Sequence, residues 1–220
     1  MRLEMNSNHK MTLLTASILV IAVMVAGALY QARSVPAGFW VNPACDPPCW
    51  NGIKPGDHVD KHEIAQKLSI YVAPGDVWEN RLPEGVMIAW HWKRWPWQRS
   101  AANSIFLVGN EVRNITIAVP FKLTVEEILH RYGIPENVMI GEGGVPEHPY
   151  VRVDLNYPTK GFTFVATVIP WNTPNLQPTS PITEATFHLP ADPRLSQQET
   201  EPGWHPQSWP GYGLLSVPVH

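Results

Sequence analysis

The stretch LTVEEILHRYGIP, residues 123–135, contains a helix together with signals for both of its ends. Thr124 and Glu127 form a capping box, because the side chain of each can accept a hydrogen bond from the backbone N–H of the other. Gly133 ends the helix and Pro135 prevents its resumption. The residues between them place an apolar stripe on one helical face: Val125, Ile128, Leu129 and Tyr132.

Apolar alternation predicts three strands after this helix, at residues 137–140, 150–157 and 161–169, with a turn at 158–161. An earlier segment has the same plan, with Asp57 as the cap of a helix over residues 58–68. Its strands are predicted at 86–92, 104–108 and 112–119, with a hairpin turn at Gly109-Asn110.

The sequence therefore predicts two α-β-β-β modules, at residues 50–120 and 121–170. Their strands are expected to join in an antiparallel sheet with both helices on one face, which is an α+β fold. Residues 171–220 are expected to pack back on this domain. They and Pro170 include ten of the 23 prolines, and residues 183–189 predict one more strand.

Residues 11–30 form a run without charged side chains that would span about 30 Å as a helix, the thickness of a hydrocarbon core. We predict a transmembrane signal-anchor there, with residues 1–10 cytoplasmic and 31–49 as a linker. Basic residues before the run favour a single-pass protein of the cell membrane, with its C-terminal domain extracytoplasmic. The alternative is a signal peptide cleaved at the small residues near 26–32.

The only two cysteines, Cys45 and Cys49, are predicted to form a small disulfide loop, because nearby thiols outside the cytosol tend to oxidise. A redox pair is the alternative, but the spacing is not Cys-x-x-Cys. A zinc site would need more ligands than these two residues.

Residues 123–135 resemble the helix-opening motif of the BamE/SmpA and β-lactamase-inhibitor-protein-like group, and residues 52–68 resemble a more degenerate copy. The Cys-Trp-x-Gly-Ile-x-Pro-Gly pattern of residues 49–56 is similar to one in uncharacterised bacterial envelope proteins with a tandem layout. The resemblance covers about residues 45–170. It implies binding of other proteins or support of envelope assembly, and it implies no catalytic residues.

The segment WHWKRWPWQR, residues 90–99, combines four tryptophans with three basic residues. One interpretation is core packing by the first two tryptophans. A second is contact with a membrane interface, and a third is a platform for a sugar or a protein partner. The predicted binding residues are Trp90, Trp92, Lys93, Arg94, Trp95, Trp97 and Arg99.

The part of the chain after the apolar run, residues 34–220, has 13 basic and 18 acidic residues, and this formal charge of −5 argues against nucleic acid as a partner. His58 and His62 lie four residues apart and could face one metal ion, but a solvated first helical turn is the preferred explanation, and we predict no metal site or cofactor. Motifs of metalloproteases, serine hydrolases and phosphate-binding loops are missing from the sequence. No catalytic residue is predicted.

The predicted function is therefore non-enzymatic binding of an envelope protein or a glycan by a membrane-anchored domain. The alternative is an extracytoplasmic hydrolase with an unrecognised active site.

Overall fold

The computed structural model of the protein describes residues 19–21, 24, 48–69, 72, 75–91, 103–145, 148–170, 172–190 and 206–215. The chain divides into two compact units, Met1–Pro36 and Ala37–His220. In the first unit the described residues are helical and exposed: Leu19, Val20, Ile21 and Met24. All other described residues belong to the second unit.

Among the described residues, no helix is both long and apolar enough to cross a membrane. The two complete helices contain eight residues each, which is about 12 Å and less than half of a hydrocarbon core. The predicted transmembrane signal-anchor and the single-pass placement built on it are therefore wrong for the described part of the chain. Most of residues 11–30 lie outside that part.

The second unit is built on one antiparallel sheet of eight strands, in the order β1-β2-β3-β4-β9-β7-β6-β5. A separate two-stranded ribbon pairs β8 with β10. The strands are β1 (Val77–Leu82), β2 (Gly85–Trp90), β3 (Asn103–Val108), β4 (Glu111–Thr124), β5 (Asn137–Val145), β6 (His148–Tyr157), β7 (Phe162–Val168), β8 (Asn175–Leu176), β9 (Pro181–His188) and β10 (Gly213–Leu214).

The sheet has two halves: β1 to β4 form the first, and β5, β6, β7 and β9 form the second. Helix α1 (Lys61–Leu68) precedes the first half in the chain, and α2 (Val125–Tyr132) precedes the second. The predicted capping box of α2 is confirmed. The Glu127 N–H donates to Thr124 Oγ1 at 3.3 Å, and the Thr124 N–H donates to Glu127 Oε2 at 2.8 Å. Gly133 follows α2 with a φ of 83°, as expected for the glycine that ends a helix.

Helix α1 begins later than predicted, because Asp60 and not Asp57 is its cap. Asp60 Oδ1 accepts hydrogen bonds from the N–H groups of His62 and Glu63, both at 2.8 Å. Asp57 instead accepts from the Lys54 N–H at 2.8 Å within a turn. His58 therefore lies outside the helix, where it forms a β-bridge with Glu111.

One continuous core lies between the helices and a single face of the sheet. Ile64 and Leu68 of α1 and Val125 and Ile128 of α2 belong to the same buried cluster. Because side chains alternate across a strand, every second residue of each neighbouring strand joins them. Examples are Ile105, Ile115, Ile117, Val151, Val153, Leu155, Phe164 and Phe187.

The predicted α+β class with two α-β-β-β modules is wrong, because the described domain is mainly antiparallel β-sheet. Each half contributes four strands to the large sheet. Strand β1 was not predicted, since four of its six residues are exposed and it lacks apolar alternation. Strand β9, predicted at 183–189, is confirmed at Pro181–His188. It completes the second half beyond the predicted boundary at residue 170.

The two halves meet where β4 pairs with β9. The register is regular from Asn114↔His188 to Ala118↔Glu184, and it shifts before Leu123↔Ile182. A second shift, between Val165 and Ala166, occurs where β7 pairs with the other edge of β9. Strand β9 is thus paired on both edges, although its sequence follows β8 and not β4.

Both predicted hairpin turns are confirmed. Gly109, with a φ of 64°, lies between β3 and β4. Gly161, with a φ of 75°, lies between β6 and β7. A Cβ atom at Gly161 would lie 2.5 Å from the His188 carbonyl oxygen and 2.7 Å from Pro48 Cγ, so both backbone conformation and space require glycine there.

The C-terminal segment, residues 206–215, contacts the second half at three places. Gln207 forms a β-bridge with Val138 at the outer edge of β5. The Leu215 N–H donates to the Pro174 carbonyl at 2.9 Å. Trp209 packs against the core cluster. These contacts cover part of the β5 edge and extend the core.

Replacing Thr124 with alanine should lower the free energy of unfolding by about 1 kcal/mol, because the Glu127 N–H loses its acceptor, Thr124 Oγ1. Urea denaturation followed by circular dichroism measures the change. The matched control is Thr173→Ala, since Thr173 is exposed in a loop. Equal stability of the two variants would contradict a role of the box in stability.

Candidate functional site

The face of the sheet opposite the core is lined by the other half of the alternating side chains. We call it the open face, because most of its polar side chains remain partly exposed, while its buried Ala118 and Val165 do not belong to the core cluster. Its members include Trp78, Asn80, Met87, Ser104, Phe106, Asn114, Thr116, Met139, Arg152, Asp154, Asn156, Thr163, Thr167, Glu184 and Thr186.

One row of paired residues crosses all eight strands of the open face. From β1 to β5 it consists of Trp78, Ala89, Ser104, Thr116, Thr186, Thr163, Asn156 and Asn137. Neighbours within it share hydrogen bonds. The Oγ1 atoms of Thr116 and Thr186 lie 3.3 Å apart. Thr163 Oγ1 donates to Asn156 Oδ1, and Asn156 Nδ2 donates to Asn137 Oδ1, both at 2.9 Å. These bonds hold the polar side chains in fixed orientations.

Apolar and aromatic groups lie on the β1 side of the open face. The rings of Trp78 and His91 are 4.8 Å apart and tilted by 45°. Met87 and Phe106 face each other across β2 and β3 and are partly buried. The His91 Nδ1 atom is buried and has no hydrogen-bond partner among the described residues. This side therefore offers aromatic area with one imidazole.

A charged cluster lies on the other side of the open face, on β6 and β9. The Arg152 guanidinium binds Asp154 with both oxygens engaged, at 2.7 Å from Nε to Oδ1 and 3.2 Å from Nη2 to Oδ2. The same Nη2 lies 3.6 Å from Glu184 Oε1. One cation thus faces two carboxylates, so the cluster carries a net charge of −1 when both acids are ionised.

Both carboxyl groups of this cluster are harder to ionise than carboxyl groups in water. Burial raises the pKa of Asp154, and the bond to Arg152 opposes this shift without cancelling it. Burial also raises the pKa of Glu184; the Arg152 charge opposes that shift and the Asp154 charge adds to it. The cause is visible in the register, where Glu184 lies between Ala118 and Val165, two short apolar neighbours.

Of the predicted binding residues, the structure describes Trp90 alone. Trp90, at the end of β2, is fully buried in the core and stacks on Trp50 with ring centroids 5.6 Å apart. For Trp90 the structure therefore agrees with the core-packing interpretation. The others lie outside the described residues, so their binding role stays a prediction: Trp92, Lys93, Arg94, Trp95, Trp97 and Arg99.

Two other residue pairs considered from the sequence lie wholly or partly among the described residues. Cys49 is disulfide-bonded, and its predicted partner Cys45 lies outside the described residues. His58 and His62 do not share a helical face, because α1 begins only at Lys61. A possible shared metal ion therefore loses the geometric reason for proposing it.

A shallow depression of about 490 Å³ lies beside α1, away from the open face. It is lined by Asn51, Glu63, Gln66 and Lys67. Lys67 Nζ is 3.0 Å from Glu63 Oε1 and donates to the Gly52 carbonyl at 3.0 Å. The charged groups here neutralise each other, and no hydroxyl or thiol nucleophile is among the lining residues that the structure describes. The hydrolase alternative stays a prediction.

Sequence reasoning missed the open face, although its signal is present. Polar residues alternate with apolar ones in the strands, as in Asn114 and Thr116 of β4 and in Thr163 and Thr167 of β7. The alternation identifies single strands, but outward side chains of different strands form one surface only once the strands are paired. The proximity of Arg152 and Asp154 to Glu184 could not be predicted without knowing the strand order.

Replacing Glu184 with glutamine should make the protein more stable than the wild type at pH 7.5, by the order of 1 kcal/mol or less, because a third of this side chain is exposed. A raised pKa in the folded state means that Glu184 contributes stability below about pH 4.3, the value for an unperturbed glutamate, and that this contribution is lost as pH rises through the raised pKa. The advantage of the variant should therefore shrink at pH 4.

Urea denaturation at both pH values measures this difference, with Glu84→Gln as the control, since Glu84 is exposed in the turn between β1 and β2. A Glu184→Gln advantage that is the same at pH 4 and pH 7.5 would show that Glu184 titrates normally.

Comparison with known proteins gives no match, whether with protein-family models, with curated proteins or with solved structures. The resemblance to the BamE/SmpA and β-lactamase-inhibitor-protein-like group therefore stays a prediction, and the open face is assigned a role from its own chemistry.

Proposed function

We propose that this domain is a non-enzymatic binding module that docks another protein on the open face of its sheet. The observation that carries the proposal is the asymmetry of the sheet. One face is filled by a continuous apolar core with both helices, whereas the other presents ordered polar side chains, most of which remain partly exposed. A face with that pattern is available for recognition without unfolding any part of the core.

The dimensions of the open face support this proposal. Eight strands at about 4.8 Å spacing extend about 34 Å, and six residues of a strand extend about 20 Å, which together give about 700 Å². A standard interface buries about 800 Å² of each partner. The open face is thus close in area to one side of a stable protein complex, and it is far larger than a contact with a small molecule.

The chemistry of the open face also favours a protein partner. Interfaces combine aromatic or methionine side chains with arginine and hydrogen-bonding groups. Trp78, Met87 and Phe106 supply the first kind on the β1 side, and Arg152 supplies the guanidinium on the β6 side. The polar row between them is hydrogen-bonded internally, so docking would cost little side-chain entropy.

Photo-cross-linking tests this proposal. A benzoylphenylalanine residue placed at Thr163 or at Asn80 should cross-link the chain to the same protein in the cells that produce it, because both positions lie on the open face. Mass spectrometry identifies the cross-linked partner. Asn80 is exposed, so this variant tolerates the large side chain even if Thr163 does not.

The matched control carries the same photo-reactive residue at Gln66, which is exposed on α1. Circular dichroism verifies that all three variants fold. Cross-links from Gln66 to the same partner with equal yield, or none above background from either open-face position, would contradict docking on the open face.

A further inference from the structure

We propose that Glu184 receives a cationic side chain, an arginine guanidinium or a lysine ammonium group, from the protein that docks on the open face. The inference rests on the proposed function and names the chemistry of the partner at one position. It follows from the contacts that Glu184 makes, from its location in the sheet and from the charge of its surroundings.

The first argument concerns the contacts of Glu184. Within the described part of the chain its carboxylate has a single polar partner, Arg152 Nη2, at 3.6 Å from Oε1. That distance is too long for a hydrogen bond. The Arg152 guanidinium is meanwhile engaged with Asp154 at 2.7 and 3.2 Å. Glu184 therefore keeps acceptor capacity that a donor from outside can use.

The second argument concerns charge. Arg152 is shared between Asp154 and Glu184, so the three groups keep a net charge of −1 when both acids are ionised. A partner that presents a cation would compensate it, whereas an anionic or purely apolar partner would leave it desolvated and unpaired. Charge complementarity thus favours one class of partner group at this position.

The third argument concerns location. Strand β9 is fifth of the eight strands, so Glu184 lies near the middle of the open face. Its row neighbours Ala118 and Val165 are buried, whereas a third of the Glu184 side chain remains exposed. Central positions surrounded by contacts that exclude water are where interface charges contribute most to affinity. The raised pKa of Glu184 agrees with this partly desolvated setting.

Nuclear magnetic resonance of the full chain, labelled with ¹³C at the glutamate carboxyl groups, tests the inference with defined probes. N-acetyl-arginine amide should shift the Glu184 signal with a millimolar dissociation constant. N-acetyl-citrulline amide, which is neutral but similar in shape, should bind at least tenfold more weakly. The signal is assigned by its loss in Glu184→Gln, and Glu84→Gln is the control. An equal response to both probes, or an unmoved Glu184 signal, overturns the inference.

Cross-linking from Thr163 separates this inference from the proposed function. In the Glu184→Gln background the yield should fall at least tenfold, while Glu84→Gln leaves it unchanged. A yield that Glu184→Gln does not change overturns the role of Glu184 and leaves protein docking in place. An arginine-specific shift at Glu184 together with no cross-link from the open face supports the cation site and contradicts the protein partner.

Discussion

The pairing of β4 with β9 is the constraint on which the rest of this structure depends. Without it, each half would be a four-stranded sheet whose fourth strand exposes unpaired backbone groups along one edge. With it, Ile115 and Ile117 of β4 and Ala185 and Phe187 of β9 face the same core. The pairing thus joins two small helix-covered sheets into one domain, which is large enough to bury a continuous apolar cluster.

The same pairing creates the open face. It aligns Thr116 with Thr186 and Ala118 with Glu184, so the polar rows of the two halves continue across the junction. The two halves then differ in chemistry. The first contributes Trp78 and His91 as an aromatic pair, and the second contributes the cluster on β6 and β9. A protein that docks here would meet aromatic area at one side and a net negative charge near the middle.

Local signals in the sequence predicted local structure well. Helix α2 has the predicted cap and end, because Thr124, Glu127 and Gly133 act within a single helical segment. The turns at Gly109 and Gly161 are also at the predicted positions, because both glycines adopt a positive φ. The start of α1 was misplaced because Asp57 and Asp60 are both competent caps three residues apart. Strand β1 escaped detection, since an exposed edge strand needs no apolar alternation.

The candidate site was predicted less well, and the reason is separation along the chain. Trp90 attracts attention as part of a tryptophan-rich segment, but its burial against Trp50 depends on a residue that is 40 positions earlier in the sequence. Arg152 and Glu184 are 32 positions apart and come together only because β7 lies between β6 and β9.

The sequence by itself determined both ends of α2, the two hairpin turns and the alternation of side chains in the predicted strands, because these follow from residues that are close together in the chain. Only the tertiary structure decided that β9 inserts between β4 and β7. Strand order is set by the burial of apolar surface across the whole domain, and no local pattern encodes it. That choice brings Glu184 beside Arg152 and produces the open face.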